Sequence, residues 1–171
     1  MQQDEQQQGQ AICMHTTPGL AAQHPPCRVV LDTNVVLDWL VFHDIRAQRL
    51  AQALDHGELL WMATEPMLAE LADVMSRPFM ARWCADTAAV LATARSRCHI
   101  LLTPAMALVA LDKAPVCADP DDQPFIDLAW SAPAAWLFSR DRALLSLAAR
   151  ARARAVVITT PQCWLGMAGA A

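Results

Sequence analysis

Short, mainly apolar runs recur along this chain, and each is followed by residues with helical spacing. Val29–Leu31, Leu59–Met62, Trp136–Phe138 and Val156–Thr159 are the runs. Segments this short and this apolar suit strands buried on both faces. Helices are expected over Asn34–Phe42, Arg46–Asp55 with Gly57 as its stop, and from a Thr64 cap to Met75, with Pro66 in the first turn. Further helices are expected over Asp86–Cys98, from Asp121 or Asp122 to Ser131, from Asp141 or Arg142 to Arg150, and briefly after Pro161. His99–Val116 carries no clear pattern. Strand alternating with helix predicts an α/β fold, a three-layer α/β/α sandwich with a central parallel sheet.

The 171 residues suit one domain, and 55% of them are apolar, enough to build a core. Residues 1–26 are Gln-rich and then broken by Pro and Gly, which predicts a disordered tail. Met14 offers an alternative start. The folded domain is expected over 27–171. The net charge of −4 disfavours wrapping of duplex DNA through its backbone, but leaves room for a nuclease whose acids hold metal. No apolar run approaches the ~20 residues of a membrane span, and the N-terminus lacks the pattern of a signal peptide. The six cysteines are scattered without a CxxC pair, which argues for reduced thiols and a cytoplasmic location rather than structural zinc. The histidines form no HExxH or HxH.

Against this apolar background four acidic places stand out. Asp32 follows Val-Val-Leu at the carboxyl end of a buried strand, and Asp141 follows Trp-Leu-Phe-Ser-Arg near the end of another. Ligands of open parallel sheets bind at that edge. The alternative for each is a helix cap, with Asn34 able to cap in place of Asp32. Glu70 lies three residues after Met67 and four before Val74, on the apolar stripe of its helix. A buried lone carboxylate costs several kcal/mol or shifts its pKa, unless a cation meets it. A slight rotation would instead put Glu70 at the solvent edge. In CADPDDQPFIDLAW, Asp119, Asp121 and Asp122 crowd one helix start, where a cap needs a single acid. Asp122 shares the face of Phe125, Ile126 and Ala129. The alternative is a cap with solvated loop acids. Acids from separate elements, without His or Cys, suit a hard cation such as Mg²⁺ or Mn²⁺. Such ions serve phosphoryl chemistry by activating water and stabilising charge on the attacked phosphate.

VVLDTNVVLDWL, Glu70 in LAELADVMSRP, DPDDQPFIDLAW and LFSRDRALL, in this order, resemble the PIN-domain nucleases. The subgroup they resemble is that of bacterial toxins from toxin–antitoxin pairs. The likeness runs from Arg28 to about Leu165. It implies the three-layer fold around a parallel sheet and metal-dependent cleavage of RNA. It also implies a homodimer restrained by a cognate antitoxin protein. Asp32, Glu70, Asp122 and Asp141 match the family's acidic quartet, holding Mg²⁺ or Mn²⁺ and carrying catalysis. Asp119 matches the first acid of the DPDD block and is an auxiliary metal ligand. Asn34 matches a supporting position, and Ser139 keeps the hydroxyl where the family usually has Thr. The fourth block departs from the usual Thr-Gly-Asp by reading Ser-Arg-Asp. Arg140 would then either bind a substrate phosphate or crowd the metal.

Arg140, Arg142, Arg150, Arg152 and Arg154 would line an RNA path or form a solvated face. Trp39, Trp61, Trp83 and Trp164 would pack the core or mark an interface. A haloacid-dehalogenase-type phosphotransferase fits poorly, because Asn34 stands where its second acid belongs and Lys113 is the one lysine. Neither GxGxxG nor GxxxxGK[ST] occurs, against a nucleotide-dependent enzyme. A non-catalytic module of the same fold, binding RNA or protein, and an RNA-processing nuclease outside toxin–antitoxin biology remain as alternatives.

Overall fold

The computed structural model describes residues 25–102, 114–132 and 134–164. The expected tail therefore lies outside the described residues, except for the exposed Pro25 and Pro26. So does 103–113 of the unpatterned stretch.

Five parallel strands form one sheet: β1 (Cys27–Leu31), β2 (Leu59–Ala63), β3 (Cys98–Ile100), β4 (Trp136–Phe138) and β5 (Val157–Thr159). Their order is β3-β2-β1-β4-β5, so the chain fills one side of β1 and then crosses to the other. Val30 pairs in register with Met62 on one side and Leu137 on the other. β1 is thus the central strand, and Val29, Val30 and Leu31 are almost wholly buried. Its unbroken apolar run follows from burial on both faces.

Alternation along β1 sorts the core into two layers. Val29 and Leu31 face α1 (Thr33–Leu40), α2 (Gln48–Asp55), α3 (Glu65–Ser76) and α4 (Thr87–Arg97), meeting Val35, Leu50, Leu71 and Ala94. Val30 faces α5 (Gln123–Ser131), α6 (Arg142–Ser146) and α7 (Ala148–Ala151), meeting Ile126, Leu144 and Ala151. Each fully buried Val, Leu or Ile contributes about 1.5–3 kcal/mol. The architecture is the α/β/α sandwich that the alternation of elements predicts. Among the described residues no helix is long and apolar enough to cross a membrane.

Local chemistry sets the element ends. Gly57 adopts φ +72° after α2, a conformation glycine reaches without a steric penalty. Pro66 sits in the first turn of α3, and Arg77 turns extended before Pro78. Asp86 caps α4 by accepting from Ala89 N at 2.9 Å. Two expectations need correction. The helix expected to reach Cys98 ends at Arg97, and Cys98 begins β3 with no intervening turn. The helix expected from Asp141 to Arg150 breaks into α6 and α7 at Leu147, whose N–H donates to the Leu144 carbonyl only three residues back. That tighter turn keeps Leu144 and Leu147 both buried.

The tryptophans divide. Trp61 and Trp164 are core residues, whereas Trp83 is exposed and meets Phe42 edge to face at 5.4 Å.

Candidate active site

The sheet order reverses between β1 and β4, and their carboxyl ends open a crevice there. Asp32 leaves the end of β1 and Ser139 the end of β4. Asp32 N donates to the Phe138 carbonyl at 3.0 Å, and Ser139 N to that of Thr159 at 3.0 Å, so both extend the ladder. Asp32 is 3% exposed and Ser139 is fully buried. The Ser139 hydroxyl and the Asn34 side-chain amide both donate to Oδ2 of Asp32. Asp32 occupies the N-cap position of α1 but makes no side-chain cap bond. Burial pushes its carboxyl above the ordinary range, and Asp141 adds to that, while Ser139 and Asn34 oppose it.

The remaining acids arrive from other elements. Glu70, half-buried on α3, accepts the Thr33 hydroxyl at 3.1 Å. It sits at the margin of its helix's apolar stripe, between the two positions the spacing allows. Its pKa is also raised, by burial first and then by Asp32 and Asp121. Asp122 precedes α5 and makes no cap bond there. Burial pushes it up to about 7, with Asp32, Asp141, Asp119 and Glu70 all contributing repulsion. Asp122 therefore feels every other member of the expected acid set. Asp141 is partly spent as a cap, accepting from Ala143 N at 2.6 Å. Asp119 is exposed and accepts from Asp121 N at 3.0 Å, holding the turn before α5.

The donor set is all oxygen, which fits a hard divalent cation. The upward shifts fit it too, because acids brought together in a half-buried crevice lack positive charge. Among the described residues no three His, Cys, Asp or Glu side chains stand as a ready ligand set, so the acids are neighbours without being preassembled.

Arg140, expected to bind a substrate phosphate or crowd the metal, pairs with Asp38. Its Nη2 donates to Oδ1 of Asp38 at 2.9 Å, and its Nε lies 2.7 Å from Oδ2. Its backbone N–H donates to Oδ1 of Asn34 at 3.2 Å. Of the other late arginines, Arg154 lies over the Trp130 ring at 5.4 Å.

Three residues here escape sequence reasoning. Thr33 orients Glu70, and its signal was its place between Asp32 and Asn34. Asp38 is buried at 4% exposure, and its signal was a second acid inside the same apolar stretch. Gln123 accepts from Cys117 N at 2.7 Å and donates to the Pro115 carbonyl and to Asp127, so it anchors the acidic turn. No motif pointed to it.

Comparison with known proteins places this geometry. The PIN domain family profile matches residues 28–143. VapBC2 from Rickettsia felis, solved bound to a DNA fragment from its promoter, superposes with a TM-score of 0.56 at 15% identity, covering 78% of this chain and 98% of that one. PAE2754 from Pyrobaculum aerophilum gives a TM-score of 0.47 at 15% identity, over 70% of this chain and 84% of that one. No curated protein matches the sequence. The family match runs from β1 through β4 to the first residues of α6 and includes Asp32, Glu70, Asp122 and Asp141, and by it the chain belongs to the PIN domain family.

Proposed function

We propose that this protein is a Mg²⁺- or Mn²⁺-dependent endoribonuclease, the toxin of a type II toxin–antitoxin pair. The observation that carries the reading is the field at Asp122. Burial first, and then Asp32, Asp141, Asp119 and Glu70 from separate elements, raise its pKa at one sheet edge. Structural ion-pair networks match acids with bases; this crevice gathers acids. In the proposal Asp32, Glu70, Asp122 and Asp141 hold the ion, with Asp119 auxiliary. A bound divalent cation would supply activation of water and charge neutralisation at the attacked phosphate.

The chain's own residues have distinct parts. Ser139 and Asn34 keep Asp32 oriented and favour its charged form. Thr33 does the same for Glu70. The RNA phosphate enters at the carboxyl edge of β1 and β4, where water is added across a P–O bond. The toxin role draws support from the sequence resemblance and from the fold shared with VapBC2. With that role come an antitoxin protein as partner, a homodimer and a cytoplasmic location.

A second reading, a non-catalytic RNA- or protein-binding module, draws on the absence of a preassembled ligand triad among the described residues. One experiment separates the two. Purified protein is incubated with mixed-sequence single-stranded RNA in Mg²⁺, in Mn²⁺ and in EDTA, beside Asp32→Asn. Cleavage that needs metal and vanishes in the variant supports the nuclease; no cleavage by folded, partner-free protein in either metal sinks it.

A further inference from the structure

We infer that Arg140, clamped by Asp38, is a positioning residue that holds the Ser139–Asp141 turn in register with Asp32. The inference rests on the metal-site reading above but concerns residues outside the acid quartet.

The connections form a closed circuit. Asp38 is buried on α1, one turn beyond Asn34, so the two share a helix face. It accepts a hydrogen bond from Arg140 Nη2 at 2.9 Å, and Arg140 Nε lies 2.7 Å from its other oxygen as an ion pair. A two-point clamp of this kind fixes direction as well as distance. It brings the Arg140 backbone N–H to Asn34 Oδ1 at 3.2 Å. Asn34 donates its amide to Asp32 Oδ2, the oxygen that also takes the Ser139 hydroxyl. Ser139 Oγ in turn accepts the Asp141 N–H at 2.8 Å. Every bond of the circuit except that of Asn34 to Asp32 involves Arg140 or one of its chain neighbours, Ser139 and Asp141. The guanidinium is also occupied: its charge is met by a buried carboxylate rather than offered to a phosphate.

Charge alone and positioning predict opposite signs. Through space, removing the Arg140 charge would tighten a cation beside it, while removing the Asp38 charge would weaken it. A positioning clamp loses its effect when either half goes. The test is calorimetric titration of the full chain with Mn²⁺ for wild type, Asp38→Asn, Arg140→Gln and the double variant. Amide hydrogen exchange at Asp141 is measured in parallel. Arg140→Gln alone leaves Asp38 buried and unpaired, so the double variant, neutral at both places, guards against simple unfolding.

The expected result is Mn²⁺ binding weakened about 10-fold by either single change, the range for groups that orient metal ligands. The double variant should be no worse than either single one, and exchange at Asp141 should quicken in all three. Tighter Mn²⁺ binding in Arg140→Gln overturns the inference. So does unchanged Mn²⁺ binding with only a lower melting temperature. If wild type binds no Mn²⁺, the metal-site reading fails, and exchange at Asp141 alone decides the clamp. Unaltered exchange there in all three variants overturns it.

Discussion

The hydroxyl of Ser139 is donated to the carboxylate of Asp32 across 107 residues of chain. Both residues lie at strand ends, both are buried, and the bond ties the carboxyl ends of β1 and β4 together. Ser139→Ala removes that donor and leaves a buried acid with less support. The cost in folding free energy should be about 1–3 kcal/mol, read by urea denaturation. RNA cleavage in Mn²⁺ should fall about 10-fold or more.

Stability without metal should fall as pH rises. Asp122 has a folded pKa of about 7 against an ordinary 3.8. Between those values the folded chain binds more protons than the unfolded one, so stability is lost progressively from about pH 4 to about pH 7. Asp32 and Glu70 are shifted the same way and add to the slope. Thermal melts in EDTA at pH 5.5 and 8 should show the higher midpoint at pH 5.5. Asp122→Asn should flatten the difference and stabilise the metal-free protein at pH 8, while abolishing cleavage. A steeper pH dependence in the variant would contradict the assignment.

Divalent cations should reverse that trend. Ligand carboxylates must be deprotonated to bind, so the rise in melting temperature caused by Mn²⁺ should be larger at pH 8 than at pH 5.5. Calorimetry in buffers of different ionisation enthalpy should report proton release on binding near neutral pH. The same measurements on Asp32→Asn should show little of either.

Away from the site, Ala155 occupies the left-handed region at φ +59° at the end of a tight turn. A left-handed alanine costs about 1–2 kcal/mol, and glycine's greater freedom when unfolded returns part of any gain. Ala155→Gly should therefore stabilise the protein by about 0.5 kcal/mol in denaturant titration. Gly57→Ala should do the opposite by a similar amount. A new Cβ at Gly57 meets nothing within 4 Å, so the backbone angle alone opposes it.

The layered fold was legible because burial on two faces writes continuous apolar runs, and four of the five strands carry them. β3 was not, because Cys-His-Ile follows α4 directly and His99 is exposed. The acids of the crevice were legible one at a time, each as a charge set among apolar neighbours. Their mutual field at Asp122 depends on sheet order, which spacing leaves open. Asp38 was hidden for a related reason. Apart in sequence, an acid on an amphipathic helix reads as a solvated side chain, and Arg140 reads as a group for phosphate or metal. Only the docking of β4 beside β1 makes them a pair. Thr33 and Gln123 are polar residues at helix starts, where many uses compete.

The position of β4 has a consequence for synthesis. The strand that completes the crevice pairs with β1, yet more than a hundred residues separate them, and β2 and β3 flank the other side first. A nascent chain that has emerged only as far as α4 carries Asp32 and Glu70 but lacks Asp122, Ser139 and Asp141. Such non-local closure also slows folding. The four acids of the crevice therefore come together only when translation of the domain is almost complete.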